Sequence, residues 1–291
     1  MYMMSKKAVQ SDNCQYQQPL ASGKPPPSRS LAHGAGGVIA SLPMYDWPEF
    51  RAATDAWWQA IARRLDASVP LTRIADYASL WRNSDLLLSQ TCGYPLTHGL
   101  SDRLRLVATP HYRAEGCEGP NYRSFVFARR PGPLESFRGG KAAFNASDSM
   151  SGMLALKLVF QPFAAGGKFF SGAIETGSHL NSLTALRAGD ADICAIDSVC
   201  VALARRYRPH DLEGLHIVGQ SPSVPGLPLV TASDQVERLR QALNDALADP
   251  LLSVIRDQLL LTGQSQLGSR DYQIIVGLEA AMEKAGGLDL S

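Results

Sequence analysis

From Gly37 onward, short apolar runs alternate along the chain with segments of helical spacing. Runs of four to eight residues bounded by Gly, Pro, Ser or Asp predict strands at 37–42, 85–89, 104–109, 122–129, 141–144, 192–196, 215–219 and 228–231. Phe50, Ala53, Trp57, Ile61 and Leu65 recur at three- and four-residue steps, which predicts a helix with one apolar face. Its start reads as a capping box, with Asp46 accepting from an early backbone N–H and Glu49 reaching back. Pro48 fits the first turn, where its missing N–H costs nothing. Further helices are predicted near 75–83, 150–162, 179–188, 198–207, 234–247, 250–261 and 271–285. Such alternation predicts an α/β fold of two lobes, with mixed, mostly parallel sheets covered by helices.

Two stretches rich in turn-forming residues, 110–121 and 220–228, lie between the α/β blocks. The chain is therefore expected to leave one lobe and return to it. Residues 37–112 plus 222–291 would form a discontinuous first lobe, and 113–221 the second. Residues 1–36, with Lys6, Lys7, Lys24, Arg29 and the run Pro25-Pro26-Pro27, read as a disordered tail. No apolar stretch of about 7–15 residues follows the basic start, so no export signal is expected in the chain as written. Its location is then periplasmic if such a signal lies upstream, and cytoplasmic otherwise.

Composition narrows the function classes. The 291 residues suggest two domains or one large one. Lys plus Arg number 28 against 27 Asp plus Glu, which leaves none of the basic excess that nucleic-acid binding requires. No run approaches the roughly 18 apolar residues of a membrane-spanning helix. Cys14, Cys92, Cys117, Cys194 and Cys200 form no CxxC pair, so no structural zinc site is expected. Their odd count leaves a free thiol. Cys92–Cys117 is the pair whose Gly-rich loops suit a bridge, with two reduced, half-buried thiols as the alternative.

The most informative segment runs from Asn145 to Gly152 and carries Ser147, Ser149 and Ser151. It follows a strand and opens a helix, where unpaired amides and the positive dipole end suit an anion. N-capping alone is the other explanation for its Ser and Asp residues. Thr176-Gly177-Ser178-His179 is a second hydroxyl-rich helix start. There His179 could donate to an anion, or Ser178 could simply cap the helix while His179 lies on the surface. Asp197 ends an apolar strand, where a carboxylate faces the crevice of an open α/β sheet, or caps the helix that follows. Tyr45, Thr91 and Tyr94 follow the first two strands and supply cleft walls or packing. No Walker loop, GxGxxG, GxSxG or HExxH motif is present, so no catalytic residue, metal ligand or cofactor is assigned.

These candidates fall together on one ordered pattern. Val38-Ile39-Ala40-Ser41-Leu42-Pro43-Met44-Tyr45 resembles the opening strand and aromatic residue of phosphonate-type substrate-binding proteins of ABC importers. Ser149-Met150-Ser151-Gly152 is similar to that family's Ser-Thr-Ser-Gly helix start. Thr176–His179, then Leu186–Asp192 and Ala195-Ile196-Asp197, resemble its second-lobe helix and strand. The resemblance spans roughly residues 38–235. It implies a type II periplasmic-binding-protein fold whose cleft closes on a small phosphonate-like oxyanion, with ABC permease and ATPase subunits as partners. It places Ser149, Ser151 and His179 on the anion, Tyr45 beside it and Asp197 facing any cationic group. Met150 departs from the pattern by removing one hydroxyl donor. A monomer is expected, because the cleft must stay free. The alternatives are a cytoplasmic enzyme on the same two-lobe fold, of the thiamine-pyrimidine or menaquinone-pathway type, and a ligand-sensing module.

Overall fold

A computed structural model describes residues 38–290. The tail expected over residues 1–36 and Cys14 lie outside them. Two five-stranded sheets organise the chain. The first orders Ile39–Ser41, Leu86–Gln90, Leu229–Thr231, Arg105–Tyr112 and Leu261–Ser265. The second orders Gly172–Glu175, Lys141–Phe144, Ile193–Asp197, Ser124–Ala128 and His216–Gln220. Both sheets are mixed. Antiparallel pairs are more frequent than the alternating pattern suggests, because strands entering from a crossing segment run against their neighbours. Leu229–Thr231 is antiparallel to both of its neighbours, and so is Ser124–Ala128.

The two turn-rich stretches meet. Asn121–Tyr122 pairs antiparallel with Val224–Pro225 in a ribbon of its own between the sheets. Gly226 N–H donates to Pro120 C=O at 2.7 Å, and Ser124 N–H to Ser221 Oγ at 2.9 Å. The chain thus crosses between sheets on two strands tied to each other, a compact place for a hinge.

Helix Arg51–Arg64 buries the stripe its sequence predicts, with Phe50, Ala53, Trp57, Ile61 and Leu65 all inside. Its capping box does not form. Asp46 is taken by Arg73, and Glu49 pairs with Arg208 at 2.6 Å, because charged partners distant in sequence outcompete the local amides. The predicted 250–261 helix stops at Gln258. Leu260 adopts φ +58°, and Leu261–Ser265 forms an edge strand that the sequence, lacking alternation there, does not announce. The short, half-exposed strand Gly172–Glu175 and the helical turns over 93–100 also go unannounced. Cys92 and Cys117 are both free thiols, so the suggested bridge is absent.

The last helix, Ser269–Lys284, touches both layers. Its Tyr272 and Ile275 pack on Gly93 beside the first sheet, and Glu279 binds Tyr94 and His98 there. At its other end Glu283 lies 3.6 Å from Lys157, beside the second sheet.

Candidate functional site

The parallel strands Lys141–Phe144, Gly172–Glu175 and Ile193–Asp197 all end at one edge of the second sheet, and each runs into a helical start. Carboxyl ends of parallel strands are where open α/β sheets bind ligands. Here they face Tyr45, which follows the first strand of the other sheet. Between them lies a cavity of roughly 300 Å³ whose wall includes Tyr45, Ser149, Ser151, His179 and Asp197.

The first start is a π-helical turn, Met150–Leu154, with Leu154 N–H reaching back to Ser149 C=O at 3.0 Å. Single π turns concentrate at functional sites. Ser149 caps it, accepting from Gly152 N–H at 3.0 Å. Gly152 is demanded by contact, since a Cβ there would stand 1.9 Å from Asn145 Oδ1. Ser151 Oγ lies 2.8 Å from His179 Nε2. Helix His179–Ala188 starts beside it, capped by Ser178, which accepts from Asn181 N–H at 3.1 Å. Burial pushes the His179 imidazole down to about 4, so at neutral pH it is uncharged.

Asp197 is buried and accepts hydrogen bonds on both oxygens. Its Oδ1 caps helix Ser198–Tyr207 by accepting from Val199 and Cys200 N–H at 2.7 and 3.2 Å. Its Oδ2 accepts from the Tyr45 hydroxyl at 2.8 Å. That bond joins the two halves of the cavity. Burial raises the Asp197 carboxyl to about 6, opposed by those three donors. Burial and the nearby Asp197 carboxylate keep Tyr45 protonated, so it remains a donor. A second contact crosses in the same way, from Met150 N–H to Cys92 Sγ at 3.4 Å.

Capping a helix and facing the cavity are not alternatives here. Ser149 and Asp197 cap helices and line the cavity at once, and His179 faces the cavity rather than bulk solvent. Three further sequence candidates sit elsewhere. Thr91 is fully buried, with its backbone tied to Pro228. Tyr94 turns to Glu279 and stacks on His98 at 3.9 Å. Ser147 is exposed, its N–H directed at Glu175. None of the three lines the cavity. Met150 is buried in the core and also lies outside the lining.

Sequence reasoning missed Trp81 on the wall, named Asn145 and Asp148 only as part of the Asn145–Gly152 segment, and did not place Cys92 or Asp46 there. Among the described residues the lining holds no Lys or Arg, while it includes the carboxylates Asp46, Asp148 and Asp197. Asp46 is neutralised by Arg73. An anion bound here would be held by hydroxyls and helix-start amides rather than by a cationic side chain. The remaining carboxylates would suit a positive charge on the same molecule.

Comparisons with known proteins bear on the family and the fold. A family model described as the periplasmic substrate-binding protein of phosphonate ABC transporters matches residues 39–251. No curated protein matches the sequence. Among solved structures, PhnD1 of Prochlorococcus marinus in complex with methylphosphonate superposes with a TM-score of 0.66 at 15% identity, covering 86% of this chain and 100% of its own. A phosphonate-transporter binding protein of Pseudomonas aeruginosa gives 0.68 at 16% identity, over 86% and 88%. A Xanthomonas citri protein bound to ATP gives 0.62 at 16%, over 86% and 98%.

Proposed function

The chain belongs to the phosphonate-type periplasmic substrate-binding proteins of ABC transporters, and from that membership we propose that it captures a small phosphonate-class oxyanion bearing an amine. The observation that carries this reading is the cavity itself. Ser149, Ser151 and a neutral His179 converge at two helix starts, with carboxylates and, among the described residues, no cationic side chain in the lining. The head group would take the Ser149 and Ser151 hydroxyls and the open end of the π turn. The amine would face Asp148 or the remaining lone pair of Asp197.

Binding proceeds by hinge closure about the Asn121–Tyr122 and Val224–Pro225 ribbon. Residues 37–112 plus 222–291 and residues 113–221 act as the two lobes. Only the closed arrangement brings Tyr45 onto Asp197 and Cys92 onto Met150, so a ligand touching both walls favours it. Closure also excludes water, which strengthens charge-assisted hydrogen bonds. The Ser151–His179 pair serves binding rather than acyl transfer, because an imidazole held near 4 is a poor base at neutral pH. In this reading the protein is a periplasmic monomer that hands its ligand, unchanged, to a permease with its ATPase.

A thermal-shift series with phosphate, methylphosphonate, 2-aminoethylphosphonate, sulfate and taurine tests it. At about 100 times its Kd a ligand adds roughly 2.7 kcal/mol. The expected result is the largest shift with 2-aminoethylphosphonate, and full recovery of that compound afterwards. Consumption of the ligand, or a larger shift with sulfate, would refute it.

A further inference from the structure

Seven buried side-chain polar atoms among the described residues have no hydrogen-bond partner. Four of them surround the cleft: Trp81 Nε1, Tyr122 OH, Asn145 Oδ1 and His179 Nδ1. Trp81, Asn145 and His179 line the cavity, and Tyr122 stands behind it on the hinge ribbon, next to Ser151. Buried polar groups in native proteins are nearly always paired, and leaving one unpaired costs on the order of a hydrogen bond. Unpaired polar atoms gathered around one cavity are candidates for contact with a polar ligand that enters it.

We propose that Trp81 and Tyr122 belong to the recognition machinery, Trp81 as a direct donor to the ligand and Tyr122 as a positioning residue for Ser151. This rests on the phosphonate-binding reading above. Trp81 is 5% exposed, at the end of helix Tyr77–Trp81, and its ring forms part of the cavity wall. Its indole N–H can only donate, so it selects an acceptor oxygen. Tyr122 is 3% exposed, and its hydroxyl neighbours Ser151 without completing a bond. The Ser151 hydroxyl has His179 Nε2 at 2.8 Å as its partner. In the liganded cleft the Tyr122 O–H donates to Ser151 Oγ, and the Ser151 O–H turns to the oxyanion. Because Tyr122 pairs with Val224 in the hinge ribbon, the same residue ties the anion contact to the lobe angle.

Tyr122→Phe gives this a distinctive signature. Deleting an unpaired buried hydroxyl removes a cost of the free protein, so its Tm should hold or rise. The variant should still bind 2-aminoethylphosphonate about 5- to 20-fold more weakly, by the loss of one hydrogen bond. A merely structural hydroxyl would do the reverse, lowering Tm and leaving Kd alone. Trp81→Phe should weaken binding by a similar factor and abolish the ligand-induced change in tryptophan emission attributable to Trp81, with the far-ultraviolet spectrum intact. Titration calorimetry on the wild type, both variants and Ser151→Ala separates the outcomes. If the wild type binds and Ser151→Ala is impaired while Tyr122→Phe and Trp81→Phe bind normally, this inference fails and the functional reading stands. If the wild type binds no phosphonate, both fail.

Discussion

Asp197 and His179 face the same cavity, yet their protonation links to stability with opposite signs. Burial raises the Asp197 carboxyl to about 6, against an ordinary value near 4. The folded state then holds that proton more tightly than the unfolded chain, so stability falls as pH rises from about 4 to about 6. Burial lowers His179 to about 4, against an ordinary value near 6.5. There the unfolded chain binds the proton more tightly, and stability rises with pH from about 4 to about 6.5. At about 1.4 kcal/mol per unit, each group could contribute up to about 3 kcal/mol, and about 1–2 kcal/mol once the cavity admits water. The two oppose each other, so the wild-type profile should run between those of the two single variants, on a background to which His111, also lowered by burial, adds equally in all three. Asp197→Asn keeps the shape of the helix cap and removes the falling limb, so that variant should gain stability with rising pH. His179→Gln removes the rising limb, so that variant should lose stability over the same range. Urea-unfolding midpoints at half-unit steps between pH 4 and 7 would show the divergence. Parallel profiles for all three proteins, or slopes of the same sign in both variants, would refute the reasoning.

Two further expectations follow from contacts around the site. Gly152→Ala must displace the Asn145 side chain, because its Cβ would meet Oδ1 at 1.9 Å. It should cost about 1–3 kcal/mol of stability, measured by thermal unfolding, and should impair binding by shifting Ser151. Cys92 and Cys117 are free, and burial raises both thiols to about 11. Peptide mapping after alkylation at pH 8 should find both slow to react in the native protein and fully reactive in denaturant without reductant; a disulfide-linked peptide would contradict this.

How much of this was legible in the sequence depended on how local each feature is. The helix starts at Ser149, Ser178 and Asp197 could be read because a strand end, a hydroxyl or carboxylate and a helix lie within a few residues of each other. The same was true of helix Arg51–Arg64, whose stripe is periodic. The capping box failed for the converse reason, since the partners of Asp46 and Glu49, Arg73 and Arg208, lie far along the chain. Trp81 and Tyr122 carry no motif, and only the folded chain brings them beside the cavity. Thr91 and Tyr94 sit at the correct strand end, but the last helix, arriving from residues 269–284, claims Tyr94 through Glu279. The edge strand Leu261–Ser265 gains its conformation from pairing with Arg105–Tyr112, which no local pattern encodes.

The central claim is that a phosphonate head group is held by the Ser149–Ser151 helix start inside the cleft. Isothermal titration of 2-aminoethylphosphonate into the wild type and into Ser151→Ala tests it most directly. The account predicts one site per chain in the wild type, weakened in the variant by about 1–3 kcal/mol, while the unliganded Tm changes little. Equal affinity in the two proteins, or a loss of Tm without a change in affinity, would contradict it.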